Sequence, residues 1–267
     1  MTFLKETISK EKRIKRITVL ISGSGSNLQA LMDAAGTARL PNAAITHVIS
    51  SRSNAYGLTR ASTHSPSIPT SVCALKTFLN HNPGATRQDY DGQVARLVLD
   101  SRPDLVVLAG WMHILSNKFL DILEGKSEPP PAPALPPPEP SSLPTQTEPI
   151  PSHSPMFNAA PLNEEVPAPP HTQVFPIPII NLHPALPGAF DGAHAIERAL
   201  EAFKKGEVKG TGVMVHKVVA EVDRGEPLLV RDVEIKPDDT LEELETRIHS
   251  VEHEIIVDGA RIVIEQL

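Results

Sequence analysis

Apolar positions along the chain follow two alternating rhythms. Ile17-Thr18-Val19-Leu20-Ile21 is a β-rich run without polar alternation, the pattern of a strand covered on both faces. A glycine turn follows, then Leu28, Leu31, Met32 and Ala35 at helical spacing, stopped by Gly36. Positions 44–50 read as a second strand, 54–64 as a helix and 70–75 as a third strand. Tyr90, Val94, Leu97 and Val98 carry a helix over 87–100, 104–110 is another fully buried strand, and 116–124 is a short helix. Positions 177–182 form a strand again, and Ala193, Ile196, Leu200 and Phe203 give a further helix. Positions 212–219 and 227–235 read as a hairpin turning at Asp223-Arg224-Gly225. Thr240-Leu241-Glu242-Glu243 is a capping box that opens a long helix with Leu241, Leu244, Ile248 and Ile255 on one face. Strands alternating with helices predict an α/β fold with a doubly wound, mostly parallel sheet, finished by a C-terminal hairpin and helix.

The prolines interrupt this rhythm at one place. Two thirds of the 27 prolines fall between Pro129 and Pro178, a stretch with only two aromatic residues. Each proline removes a backbone donor and fixes φ, and the stretch lacks the apolar surface that would offset the entropy of ordering it. The expected organisation is one domain over 16–267, interrupted at 126–176 by a proline-rich disordered or polyproline-II insert and preceded by an N-terminal extension over 1–15. Without the insert, enough chain remains for one sizeable core.

Composition narrows the class. With 25 basic and 32 acidic residues the formal charge is −7, which argues against nucleic-acid binding. No apolar run approaches the roughly 20 residues needed to span a bilayer, so no membrane role is expected. The single cysteine, Cys73, excludes an intrachain disulfide framework and suits a reducing compartment. Glu6 and Glu11 interrupt the basic residues of the first 16 positions, which weakens a transit-peptide reading, and a cytoplasmic location is expected.

Four segments at predicted strand ends carry chemistry. Ser22-Gly23-Ser24-Gly25-Ser26-Asn27 joins the first strand to the first helix, where backbone amides and a helix N-terminus can face an anion. It lacks the third glycine of a dinucleotide fingerprint and the lysine of a Walker loop, so a phosphate monoester fits better than NAD or ATP. In Asn181-Leu182-His183-Pro184, alternation puts Asn181 and His183 on the same side. An amide beside an imidazole can stabilise an oxyanion and shuttle a proton, or be a capping Asn and a structural His. Asp223 is ordinary turn chemistry unless folding brings it to His183, where it would orient and charge the imidazole. Gly110-Trp111-Met112-His113-Ile114-Leu115 is either core or the wall of a site for a flat heterocycle.

Positions 21–31 (ISGSGSNLQAL), 106–116 (VVLAGWMHILS), 180–188 (INLHPALPG) and 210–229 (GTGVMVHKVVAEVDRGEPLL) occur in this order. Together they resemble the phosphoribosylglycinamide formyltransferases, a folate-dependent family of purine synthesis, over 16–267 apart from the insert. The resemblance implies the Rossmann-like formyltransferase fold and a catalytic set of Asn181, His183 and Asp223. It implies that Gly25, Ser26, Asn27 and Glu252 bind phosphoribosylglycinamide. Arg87, Met112, His113, Ile114, Leu115 and the backbone around Val222 would bind folate. The co-substrate would be 10-formyltetrahydrofolate, with small-molecule substrates and no metal. The glycinamide amine would attack the formyl carbon, the Asn181 amide and a protonated His183 would stabilise the oxyanion, and Asp223 would favour the imidazole cation and help to remove the amine proton. Two departures stand out: His113 occupies a position where the family often has arginine, and the loop 185–192 differs from common bacterial forms. A formyltetrahydrofolate hydrolase using the same three residues on water is the nearest rival. A catalytically idle scaffold whose insert binds a polyproline-reading partner is the reading from another class.

Overall fold

The computed structural model describes residues 13–131 and 172–267. Residues 1–12 and positions 132–171, the greater part of the expected insert, lie outside them. In chain order the elements are β1 (Lys15–Ile21), α1 (Ser26–Ala34), β2 (Ala43–Ser50), α2 (Tyr56–Thr63), β3 (Thr70–Val72), α3 (Leu75–His81) and α4 (Arg87–Asp100). They continue with β4 (Leu105–Leu108), α5 (Asn117–Leu123), β5 (Ile179–His183), α6 (Ala195–Lys204), β6 (Thr211–Lys217), β7 (Pro227–Val233) and α7 (Leu241–Gln266). The strands make one seven-stranded sheet in the order β3-β2-β1-β4-β5-β6-β7. It is parallel from β3 to β5, and β6 and β7 are antiparallel to their neighbours.

The uninterrupted apolar run of β1 is explained by two cores. Ile17, Val19 and Ile21 pack with Leu28 and Leu31 of α1 and Ile255 of α7, while Leu20 packs with Tyr90, Val94 and Phe119 on the other face. Helix α7 lies close along the sheet: a Cβ on Gly259 would come within 2.6 Å of Val215 Cγ1 in β6. Its length brings Glu252 to the end of the sheet where β1, β4 and β5 finish.

The third predicted strand is shorter than expected. β3 stops at Val72, and the unforeseen α3 follows, with Leu75 and Phe78 half-buried against the second core. No side chain caps the N-terminus of this seven-residue helix, while at its other end Asn82 Nδ2 donates to the Phe78 carbonyl at 2.8 Å. Near the proline-rich stretch, the described flanks lie on the domain surface. Arg96 Nη1 donates to the Pro130 carbonyl at 3.3 Å and Gln173 Nε2 to the Pro103 carbonyl at 2.9 Å. A Cβ on Gly125 would stand 3.0 Å from the Phe175 ring, so chain and ring are in close contact there.

Candidate active site

A cavity of about 860 Å³ opens at the carboxyl ends of β1, β4 and β5. There the strand order reverses from β1 to β4, the place where doubly wound sheets bind their ligands. Every residue expected at the site lines it except Arg87. Arg87 instead donates through Nη2 to the Ile114 carbonyl at 2.7 Å and through Nε to Asp91 Oδ1 at 3.1 Å. It braces the 110–115 loop through that carbonyl.

At one end of the cavity lies the glycine-serine loop. Gly25 takes φ +71°, and a Cβ there would stand 2.6 Å from Gly57 Cα, so the loop and α2 touch backbone to backbone. No side chain caps α1, which leaves its first amides for a ligand acceptor. Arg60 Nε holds the loop by donating to the Ser24 carbonyl at 2.9 Å. Ser22 Oγ accepts from Ser51 Oγ at 2.7 Å and from the Met112 N–H at 2.9 Å, tying this loop to the 110–115 loop. Across the cavity Asn27 Nδ2 donates to Glu252 Oε2 at 3.2 Å, while Asn27 Oδ1 is buried with no partner among the described residues. Burial pushes the Glu252 carboxyl above the ordinary glutamate range; the Asn27 hydrogen bond and nearby His249 oppose this without cancelling it.

At the other end, β5 presents Asn181 and His183 on one side, as alternation predicted, and the β6–β7 turn brings Asp223 to both. Asp223 adopts φ +55°, a left-handed turn conformation that aspartate tolerates. Its Oδ2 accepts from the Gly192 N–H at 2.8 Å and lies 3.5 Å from His183 Nδ1; its Oδ1 accepts from Asn181 Nδ2 at 3.2 Å. Burial raises the Asp223 pKa, but hydrogen bonds from His216 and Gly192 and the two nearby imidazoles outweigh it, so the carboxyl lies below its ordinary range. The Arg224–Asp191 ion pair at 2.7 Å clamps the turn to the 185–192 loop.

His183 is 4% exposed, and its Nε2 is buried with no partner among the described residues. Burial holds its imidazole below the ordinary value, against the pull of the Asp223 carboxylate. The imidazole therefore releases its proton more readily than a free histidine does. With Nδ1–H towards Asp223, its Nε2 carries a lone pair into the cavity, a base without a proton to take. The Asn181 Nδ2 atom lies 3.2 Å from Asp223 Oδ1 and 3.1 Å from His216 Nε2, on a side chain that lines the cavity.

The mouth between these ends is apolar: Met112 is 61% and Ile114 64% exposed, with Val222 opposite. His113 stands edge-on to Trp111 and Tyr90, at 5.5 and 5.7 Å between ring centres. Burial, aided by Arg87, keeps its imidazole below the usual value and hence uncharged at neutral pH. Among the described residues no group of His, Cys, Asp and Glu gathers as a metal site. No helix among them is long and apolar enough to cross a membrane.

The profile of the formyl transferase family matches residues 15–127 and 166–259, and passes over the centre of the proline-rich stretch. The chain belongs to the formyl transferase family. Over 253 residues it is 40% identical to the phosphoribosylglycinamide formyltransferase of Schizosaccharomyces pombe, covering 94% of this chain and 98% of that one. The enzyme of the same name from Dictyostelium discoideum is 39% identical, with 92% and 97% covered. Among solved structures, glycinamide ribonucleotide transformylase 1 from Symbiobacterium toebii superposes with a TM-score of 0.67 at 30% identity, over 95% of this chain and 89% of that one.

Two parts of this formyl transferase's site were not singled out from sequence. His216 pairs directly across the β5–β6 ladder from Asn181, and Gly57 receives the phosphate-type loop. A single polar residue, His216, inside the apolar run of β6 was the available signal for the first. Nothing local marks the second.

Proposed function

We propose that this formyl transferase moves the formyl group of 10-formyltetrahydrofolate to the amine of 5′-phosphoribosylglycinamide, within de novo purine synthesis in the cytoplasm. The observation that carries the reading is one cleft with a phosphate-type cradle at one end and the unpartnered His183 Nε2 at the other. The cradle of Gly25, Ser26 and Asn27 takes the phosphate, and Glu252 with the Asn27 carbonyl takes the ribose hydroxyls. The apolar lip of Met112, Ile114 and Val222, with His113 and Leu115 behind it, takes the folate rings.

Between them the amine lone pair attacks the formyl carbon, and the C=O pair moves onto oxygen. Nε2 of neutral His183 removes one proton from the nitrogen, which has become an ammonium. The imidazolium so formed is stabilised by Asp223 and returns that proton to the folate nitrogen as its bond to carbon breaks. Atoms and charge balance without a further reactant. Holding both substrates in one cleft supplies much of the rate.

The test is a folate-absorbance assay with 10-formyl donor, with and without phosphoribosylglycinamide. Loss of formyl donor only with the ribonucleotide is the expected result. Loss without it would make the protein a hydrolase, and no loss in either case would leave the scaffold reading. The proline-rich stretch at 126–176 is read as a spacer that can also offer a polyproline ligand to a partner domain. A peptide spanning it, titrated against an SH3 or WW domain, tests that part separately.

A further inference from the structure

Among the described residues, Arg52 is the one lysine or arginine that lines the cavity. It is exposed just beyond the end of β2, and its guanidinium makes no hydrogen bond or ion pair among the described residues. Histidines aside, the other ionisable side chains on the cavity wall are the acids Glu221, Asp223 and Glu252. An anion entering the cleft is therefore repelled by the wall everywhere except near Arg52 and the backbone amides of the glycine-serine loop.

The base of Arg52 is fixed. Its N–H donates to Ser50 Oγ at 3.1 Å, and its carbonyl accepts from the same hydroxyl at 2.7 Å. The preceding residue, Ser51, donates to Ser22 Oγ at 2.7 Å, and that oxygen also takes the Met112 N–H at 2.9 Å. Two hydrogen bonds thus tie the end of β2 to the 110–115 loop, and the Arg52 charge is felt at the His113 imidazole. Arg87, the other cation felt there, is paired with the buried Asp91 at 3.1 Å. The phosphate-type loop has a different arginine, Arg60, on its Ser24 carbonyl. Arg52 is therefore the uncompensated cation beside the apolar lip.

We propose that Arg52 is a specificity-determining residue for the formyl donor: its guanidinium pairs with a carboxylate of the donor's glutamate once the rings lie on the lip of Met112 and Ile114. The inference rests on the transfer reading above. An apolar lip accepts any flat heterocycle, because burial of apolar area is non-directional. A folate differs from an uncharged heterocycle by the glutamate at the end of its benzoyl group, which carries two carboxylates. The planar fork of an arginine matches a carboxylate with two parallel N–H donors. The pair forms at an exposed mouth, so its contribution is modest and weakened by salt.

The test is calorimetric titration of the full-length protein with two probes. One is 10-formyl-5,8-dideazafolate, and the other is the same compound with its glutamate replaced by an uncharged N-methylamide. In Arg52→Gln the Kd of the first should rise about three- to tenfold, while that of the second stays at the wild-type value. Arg52→Lys, which keeps the charge and loses the fork, should recover part of the loss. In the wild type the preference for the glutamate-bearing probe should shrink at 0.5 M NaCl. An unchanged Kd for the first probe in Arg52→Gln, or an equal loss for both probes, would overturn the proposal. Initial rates add a second check: a raised ribonucleotide KM with an unchanged donor KM would assign Arg52 to the phosphate instead and overturn it too. Absence of ribonucleotide-dependent turnover in the wild type would sink the transfer reading, and the ratio of the two Kd values would still decide the role of Arg52.

Discussion

Asn27 and Glu252, 225 residues apart in sequence, meet at 3.2 Å across the ribonucleotide end of the cleft. The pair joins the start of α1 to the middle of α7 and puts a carboxyl on the buried face of a helix, in line with Leu244, Ile248 and Ile255.

That placement has a stability cost. Because the folded Glu252 pKa is raised, the native state holds this proton more tightly than the unfolded chain. Its contribution is most favourable below the ordinary value of 4.5 and is lost as pH rises through the folded value. Glu252→Gln should therefore raise stability at pH 7.5 by on the order of 1 kcal/mol, with the gain vanishing in acid. The KM for phosphoribosylglycinamide should rise at least about tenfold. Urea titrations at pH 7.5 and 4, with steady-state kinetics, check both halves.

Gly25→Ala should lower stability by about 2 kcal/mol or more and weaken ribonucleotide binding. It combines a left-handed backbone with a Cβ driven against Gly57. Thermal melts with and without the ribonucleotide would reveal this; a variant that melts and binds like the wild type would contradict the close approach.

Asp223→Asn should fold normally, since asparagine tolerates φ +55° and can still accept from the Gly192 N–H. Without the carboxylate charge beside the His183 cation, kcat should drop about 10²- to 10⁴-fold. Circular dichroism and turnover measured on the same sample separate a folding defect from a chemical one.

The rate should depend on pH through His183 in the neutral form. Burial lowers its pKa, Asp223, Asp191 and the Phe190 carbonyl raise it, and His216 lowers it, with burial prevailing. The acid limb of kcat/KM should therefore lie below the ordinary imidazole value of 6.5. In Asp223→Asn the limb should move to still lower pH, because the main charge favouring the cation is gone. A limb above 6.5 in the wild type would mean that His183 begins as the cation.

Ile114→Ser should raise the KM for the formyl donor about five- to thirtyfold and leave that for the ribonucleotide unchanged. The side chain is 64% exposed at the lip and is covered only when a ligand's apolar face lies on it. Initial-rate kinetics with each substrate varied in turn would detect the split.

The sequence by itself determined the layered α/β architecture, because a two-sided apolar run such as Ile17–Ile21 and the stripes of α1, α4 and α7 report burial directly. It also put Asn181 and His183 on one side of β5 by alternation, and both line the cavity. Tertiary structure alone decided how those groups pair. Periodicity says which face of an element is covered and nothing of the partner covering it. The β5–β6 register sets His216 opposite Asn181, and a left-handed turn swings Asp223 between the two histidines. Packing turns Arg87 onto the Ile114 carbonyl and lays α3 against the second core. The proton state of the site followed from the same source, because desolvation of His183 and Glu252 depends on everything packed around them.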